Sequence, residues 1–88
     1  MRDIKLTSEF KQDRKKILKR NLDIGLIEGI IDNLAKDIPL PPANKDHNLT
    51  GKYKGKRECH IQPDWLLVYR KEKDLLILVR TGSHSDLF

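Results

Sequence analysis

The sequence predicts an α+β fold. One small domain spans residues 1–88, and two N-terminal helices pack on one face of a twisted, largely antiparallel sheet. Three observations predict it. Ile27, Ile30, Ile31 and Leu34 recur at three- and four-residue steps, the period of a helix with one buried stripe. The runs Trp65 to Tyr69 and Leu75 to Val79 are nearly continuously apolar and short, as in strands covered on both faces. Glu72-Lys73-Asp74 joins those two runs as a hairpin turn. The element order is β-α-α-β-β-β, which leaves the second face of the sheet, or its rim, for a site.

Each element has a local justification. Ile4-Lys5-Leu6 alternates and predicts a short first strand. Thr7 or Ser8 is placed to cap a helix that begins near Glu9. In that helix Phe10, Ile17 and Leu18 form a narrow apolar stripe, and Lys11, Arg14, Lys15, Lys16, Lys19 and Arg20 make the outer face strongly basic. Asn21 to Asp23 is a break, and Asp23 caps the second helix, with Ile24 at its start. Gly25 and Gly29 lower its helix propensity, which tertiary packing must offset. Pro39, Pro41 and Pro42 end the helical region, and Ile38 to about Asn48 forms an extended loop. Long loops in compact domains often carry function. Gly51 to Gly55 is a turn region. Arg57 to Gln62 alternates, with Cys59 and Ile61 on one face and Glu58, His60 and Gln62 on the other. Pro63-Asp64 is a turn.

Charge and composition narrow the function classes. Lys and Arg number 18 against 13 Asp and Glu, a net charge of +5. A basic balance favours nucleic acid or an acidic protein as partner, although a merely solvated basic surface has the same composition. The single cysteine, Cys59, cannot form an internal disulfide and suits a reducing cytoplasm as a small buried side chain. No secretory signal is seen, and no apolar run approaches the ~18 residues of a membrane span, so no membrane partner is expected. No Cys/His spacing resembles a zinc motif.

The residues able to do chemistry lie in the second half. His47, His60 and His84 all fall in polar, turn-like or strand-end settings. Imidazole is the one side chain that ordinarily titrates near neutrality, so the three suit proton transfer. Each also has an ordinary reading: His47 as a solvated loop residue, His60 as an exposed strand residue, His84 as part of a tail. The apolar end Leu87-Phe88 is expected to dock back and fix His84. Asp64 is a common turn residue and also a carboxylate beside His60 in sequence. Arg80 follows five apolar residues and either marks a strand's exit to solvent or aims a charged fork at a phosphate. Lys45, Lys52, Tyr53, Lys54, Lys56 and Arg57 mix basic and aromatic character, suited to RNA backbone contact and base stacking, or to blunting a sheet edge. Trp65 starts a strand as a core or rim residue. A metal site built on the three histidines is disfavoured by the cations around them, and no metal or other cofactor is expected.

Taken together, the blocks Lys45 to Leu49, Gly51 to Gly55, Arg57 to Tyr69 and Arg80 to Phe88 resemble the YafQ branch of the RelE-type bacterial toxins. The likeness is close from Pro39 to Phe88 and looser over the helices. It implies a RelE-like fold and a ribonuclease toxin of a type II toxin–antitoxin pair, an mRNA interferase that cuts messenger RNA in the A site of the 70S ribosome and so inhibits translation. It implies a cognate antitoxin, DinJ-like or RelB-like, that neutralises the basic surface and reaches operator DNA only as the complex. The branch's catalytic positions fall on His47, His60, Asp64 and His84. Arg80 and Phe88 match further positions important for activity, Trp65 matches a tryptophan beside the site, and Trp65 and Phe88 are expected to contact the RNA.

The chemistry expected of such a set is metal-independent. A base takes the proton of the 2′-hydroxyl, the oxygen attacks the adjacent phosphate, and an acid protonates the leaving 5′-oxygen. His84 is the expected acid, His60 or His47 the base, with Asp64 orienting an imidazole or acting as base itself, and Arg80 the stabiliser of the charged phosphorane. The alternative is a non-catalytic basic module that binds RNA or protein, including a degenerate toxin retained as an antitoxin partner and co-repressor.

Overall fold

A computed structural model describes residues 1–88. The predicted order holds, with two short additions. Strand β1 (Asp3–Leu6) leads into helices α1 (Ser8–Lys19) and α2 (Ile24–Ala35). A two-residue strand β2 (His47–Asn48) precedes β3 (Arg57–Gln62), β4 (Trp65–Lys71) and β5 (Leu75–Gly82), and a one-turn helix α3 (His84–Leu87) ends the chain. The five strands form one sheet in the order β1-β5-β4-β3-β2. Only the β1–β5 pair is parallel, and the chain between those two strands holds both helices and β2 to β4. No helix is long and apolar enough to cross a membrane.

The predicted caps are in place. The Thr7 side chain accepts from the Phe10 N–H, and the Asp23 side chain accepts from the Gly25 N–H. The first-helix stripe differs from the expected one. Leu18 is exposed, and the buried residues of α1 are Phe10, Asp13 and Ile17, at i, i+3 and i+7. From α2, Ile27, Leu34 and Ala35 join Phe10 and Ile17 over Cys59, Ile61, Trp65, Leu67, Tyr69, Leu76 and Leu78 to form the main core. Burial pushes the Cys59 thiol up to about 12, so this cysteine is packing rather than a nucleophile.

The other face carries a smaller cluster. Leu66, Val68 and Leu87 are buried there against Leu49, Tyr53 and Val79. The tail therefore does dock back, through Leu87, whereas Phe88 remains 61 % exposed. The loop after α2 is more ordered than proline content alone suggests. Pro42–Asn44 and Gly51–Tyr53 each form a single 3-10 turn, and β2 pairs antiparallel with β3 at His47↔Glu58 and Asn48↔Arg57.

Candidate active site

Strand alternation places the site. Cross-strand partners share a face, so His47, Glu58, Val68 and Arg80 form one row across β2, β3, β4 and β5. His60, Leu66 and Gly82 form the next row on the same side. Arg80 reaches this face through an irregularity. Leu76 and Leu78 face the helices, and strict alternation would send Arg80 there too. The register shift between Val68 and Tyr69 leaves Val79 as an extra residue and turns Arg80 to the open face.

The three histidines converge around two carboxylates. His47 Nε2 and His60 Nε2 each lie 3.7 Å from Glu58 Oε1. The His60 and His84 rings meet edge to face with centroids 5.8 Å apart. His84 Nδ1 is 2.8 Å from Asp64 Oδ1, and the His84 backbone N–H donates to the same oxygen at 3.1 Å. Those two bonds hold the Asp64 carboxyl below the usual carboxylate range. A carboxylate only accepts, so Nδ1 carries the proton and Nε2 of His84 is turned outward for chemistry. His47 Nδ1 lies 2.6 Å from the Lys45 carbonyl, and His60 Nδ1 lies 3.3 Å from the Pro63 carbonyl. Both contacts put a proton on Nδ1, and the Nε2 of each ring faces Glu58.

Each histidine is fixed by its own piece of structure. The loop carrying His47 is pinned by Asp46, which accepts from the Tyr69 hydroxyl and forms an ion pair with Arg57. Burial, then the bond to Asp46, raises the Tyr69 phenol above its ordinary range, so it stays a neutral donor. His84 opens α3, which a capping box builds: Ser83 Oγ accepts from Asp86 N–H, and Asp86 accepts from Ser83 N–H. Arg20 at the end of α1 clamps the same Asp86 through two nitrogens, at 2.6 and 3.1 Å. Gly82 precedes this turn at φ 153°, and a Cβ there would sit 2.8 Å from the Asp86 carboxylate. Only glycine fits that approach.

Arg80 is held by α1. Asp13 accepts from Nε at 2.6 Å and Nη2 at 3.1 Å, and Glu9 lies 3.8 Å from Nη1. The Asp13 bond, opposed in part by burial, raises the arginine further above its ordinary range. Asp13 also accepts from the Thr81 N–H, an edge donor that β1 is too short to reach. The arginine therefore presents Nη1, its least engaged nitrogen, while the rest of the fork is spent on α1.

One of the RNA-contact expectations needs correction. Trp65 is 2 % exposed in the main core, and its indole N–H donates to Thr81 Oγ1, so it has no face to offer a base. Arg57 bonds Asp46, Asn48 and Tyr69 and braces the His47 loop while remaining partly exposed. Lys45, Lys52 and Lys54 are exposed, and Lys56 is half-buried. The Tyr53 and Phe88 rings meet edge to face at 5.5 Å, with Lys52 Nζ 5.8 Å from the Tyr53 centroid.

Two residues of the site were not singled out from the sequence. Glu58, 5 % exposed, lies beneath His47 and His60. Asp13, 4 % exposed, sets Arg80. Asp13 did leave a signal, since an acid at a stripe position of a basic helix needs a buried partner. Glu58 left less, because a polar residue on an alternating strand ordinarily faces water. No three His, Cys, Asp or Glu side chains converge in a way that would hold a metal ion.

Comparison with known proteins gives a consistent result. Residues 2–88 match the family model described as the bacterial toxin of the type II toxin–antitoxin system, YafQ. The mRNA interferase toxin YafQ of Escherichia coli K12 is 39 % identical over 88 residues, covering 99 % of this chain and 96 % of that protein. A crystal structure of a metal-bound toxin from Helicobacter pylori superimposes with a TM-score of 0.94 at 46 % identity, covering all of both chains. YafQ in the crystal structure of the Escherichia coli DinJ–YafQ complex superimposes with a TM-score of 0.92 at 38 % identity, covering 100 % of this chain and 99 % of that one.

Proposed function

The chain belongs to the YafQ family of toxins from type II toxin–antitoxin systems, and we propose that it cuts messenger RNA in the ribosomal A site by metal-independent acid–base catalysis. It is an mRNA interferase toxin, it works in the cytoplasm, where ribosomes are, and its partner is a DinJ-like antitoxin. The observation that carries the mechanism is the His84–Asp64 pair beside His60. It puts two imidazoles side by side on one face, His84 braced by Asp64 and His60 set over Glu58.

In this reading His60 Nε2 takes the proton of the 2′-hydroxyl. The freed oxygen attacks the adjacent phosphorus, and the P–O5′ bond breaks. His84 Nε2 gives its proton to the leaving 5′-oxygen, so the products are a 2′,3′-cyclic phosphate and a 5′-hydroxyl. Asp64 stabilises His84 in its charged, proton-giving form. Glu58 lies 3.7 Å from His60 Nε2 and stabilises the charge His60 gains in taking its proton. Arg80 meets the charge that builds on the phosphorane through Nη1. No step in this reading passes through a metal ion. Tyr53 and Phe88 supply stacking surface, and Lys45, Lys52, Lys54 and Lys56 supply phosphate contacts along the rim.

The test is a cleavage assay on 70S ribosomes programmed with a defined message, using wild type and His84→Ala and mapping new 5′ ends. Cuts confined to the A-site codon and lost in the variant are the expected result. A folded wild type that cuts neither programmed ribosomes nor free RNA would replace this reading with that of a binding module.

A further inference from the structure

Tyr69 is a buried titratable group that takes no part in the steps above. Its ring lies in the main core on the helix-covered face and is 0 % exposed. Its hydroxyl nevertheless reaches the edge of the sheet at β2. Tyr69, Arg57 and Asn48 are successive cross-strand partners on β4, β3 and β2, so they form one row on the helix side. His47 and Glu58 belong to the neighbouring row, on the open side. Asp46, just before β2, turns its side chain onto the helix-side row. One of its oxygens accepts from the Tyr69 hydroxyl, and the other lies 3.3 Å from Arg57 Nη2. Arg57 closes the cluster. Its Nε donates to the Tyr69 hydroxyl at 3.3 Å, and Nη1 donates to the Asn48 side-chain oxygen at 2.6 Å.

This cluster grips the strand that carries His47 from behind. With two paired residues, β2 is shorter than an ordinary strand and has little hold of its own. Lys45 stands in the left-handed region at φ 47° and ψ 46°, uncommon for a residue with a side chain. Such a conformation persists only where its surroundings impose it. On one side Asn44 Nδ2 donates to the His60 carbonyl at 2.7 Å, and on the other Asp46 is held by Tyr69 and Arg57. The turn so fixed puts the Lys45 carbonyl 2.6 Å from His47 Nδ1. His47 Nε2 then stands 3.7 Å from Glu58 Oε1, the oxygen that His60 Nε2 also faces at 3.7 Å. Two imidazoles share one carboxylate. The place of His47 therefore decides how much of that charge His60 feels when it takes a proton.

We infer that Tyr69 is a positioning residue of the reaction: its hydroxyl, through Asp46 and with Arg57, sets where the His47 imidazole stands over Glu58. The inference rests on the nuclease reading, since it makes a core phenol part of how the base is tuned from the opposite face of the sheet.

Two measurements test it. The first is a double-mutant cycle in the programmed-ribosome assay, with Tyr69→Phe made in wild type and in His47→Ala. Phenylalanine keeps the ring that fills the core and removes only the hydroxyl. In wild type, kcat is expected to fall about tenfold with KM unchanged, the scale of a small misplacement near the reacting atoms. In His47→Ala the same change is expected to add nothing, because the residue it acts through is gone. No loss in wild type, or an equal loss in both backgrounds, overturns the inference. The second measurement follows the imidazole nitrogen resonances of isotope-labelled protein in wild type, Tyr69→Phe and Asp46→Asn, without RNA. Those of His47 are expected to move in both variants while those of His84 stay. Unmoved His47 resonances overturn the inference, and so does equal movement at His47 and His84, the sign of general loosening. This arm needs no cleavage, so it decides the placement of His47 even if the wild type fails to cut, an outcome that would sink the nuclease reading alone.

Discussion

The two faces of the sheet are built from the same strands and have opposite characters. On the helix-covered face, Cys59, Leu67, Tyr69, Leu76 and Leu78 are essentially inaccessible and lie against Phe10, Ile17, Ile27 and Leu34. On the open face only Leu66, Val68 and Leu87 form a buried cluster, and around them lie Glu58, His60, Arg80 and His84. A strand of period two lets one residue serve stability and the next serve chemistry. The lesson is that site residues here are held not by apolar packing but by carboxylates: Glu58 for His47 and His60, Asp64 for His84, Asp13 for Arg80.

The largest expected effect breaks the comparison on the open side. His84→Ala should lower kcat roughly 10²–10⁴-fold, the contribution of one positioned acid. RNA affinity should change little, because phosphate contacts carry most of the binding. The melting temperature should stay near that of wild type, since His84 is exposed. A 2′-deoxy substitution at the cleaved nucleotide should stop cutting altogether. Continued cleavage of that substrate would remove the 2′-hydroxyl from the mechanism. Leu67→Ala on the other side should do the reverse, costing about 2–5 kcal/mol of stability in a denaturant titration. Its activity per folded molecule should be preserved. A Leu67→Ala protein that is stable but inactive would show that the two faces are not separable.

Asp13 sharpens the comparison, because it belongs to a helix yet serves the open face. Asp13→Asn removes the charge that holds Nε and Nη2 of Arg80 and weakens the acceptor for the Thr81 N–H. Misplacing one charged group in a site costs roughly 10–100-fold in kcat. Leaving a buried donor poorly satisfied costs about 1–3 kcal/mol of stability. Both should appear together, in kinetics and in chemical unfolding. A loss of stability with unchanged kcat would mean that Arg80 does not act on the phosphate.

How much of this could be read from the chain follows from the range of each interaction. Ile27 to Leu34 and the two apolar runs are local patterns, and they give helix and strands directly. Thr7 and Asp23 are caps within three residues of the N–H groups that donate to them and are equally plain. The Ser83-x-x-Asp86 capping box was also local, and it marks the start of α3, which is otherwise too short for a period to show. Strand β2 has two residues and exists through its pairing with β3, so no pattern within it could announce it. Arg80 reaches the open face because of a bulge at Val79, and a single extra residue is invisible to periodicity. Trp65 was assigned an RNA contact by resemblance, yet its position in sequence, at the head of a buried run, already spoke for the core. The histidines were evident as residues. Glu58 shares β3 with His60 but meets His47 only through strand pairing, Arg20 reaches the His84 turn from the end of α1, and Asp13 meets Arg80 from 67 residues away.

The smallest expected effect concerns the clamp that joins the two faces at their rim. Arg20 ends α1, Asp86 lies in α3, and their ion pair fixes the turn that presents His84. Arg20 and then the Ser83 N–H hold the Asp86 carboxyl far below its ordinary range. A carboxyl depressed on folding contributes stability that is fully present above its unfolded value of about 3.9 and is lost as pH falls toward the folded value. At neutral pH the clamp is therefore intact, and it should release only in acid, below about pH 4. Asp86→Asn should reduce the fall of melting temperature between about pH 4 and pH 2. At neutral pH it should lower kcat by a few-fold through a looser His84, with KM unchanged. The exposure of Arg20 keeps the stability change itself small. An Asp86→Asn protein with the acid sensitivity of wild type and full activity would show that α3 is held by Leu87 alone, and that the rim clamp plays no part in placing the acid.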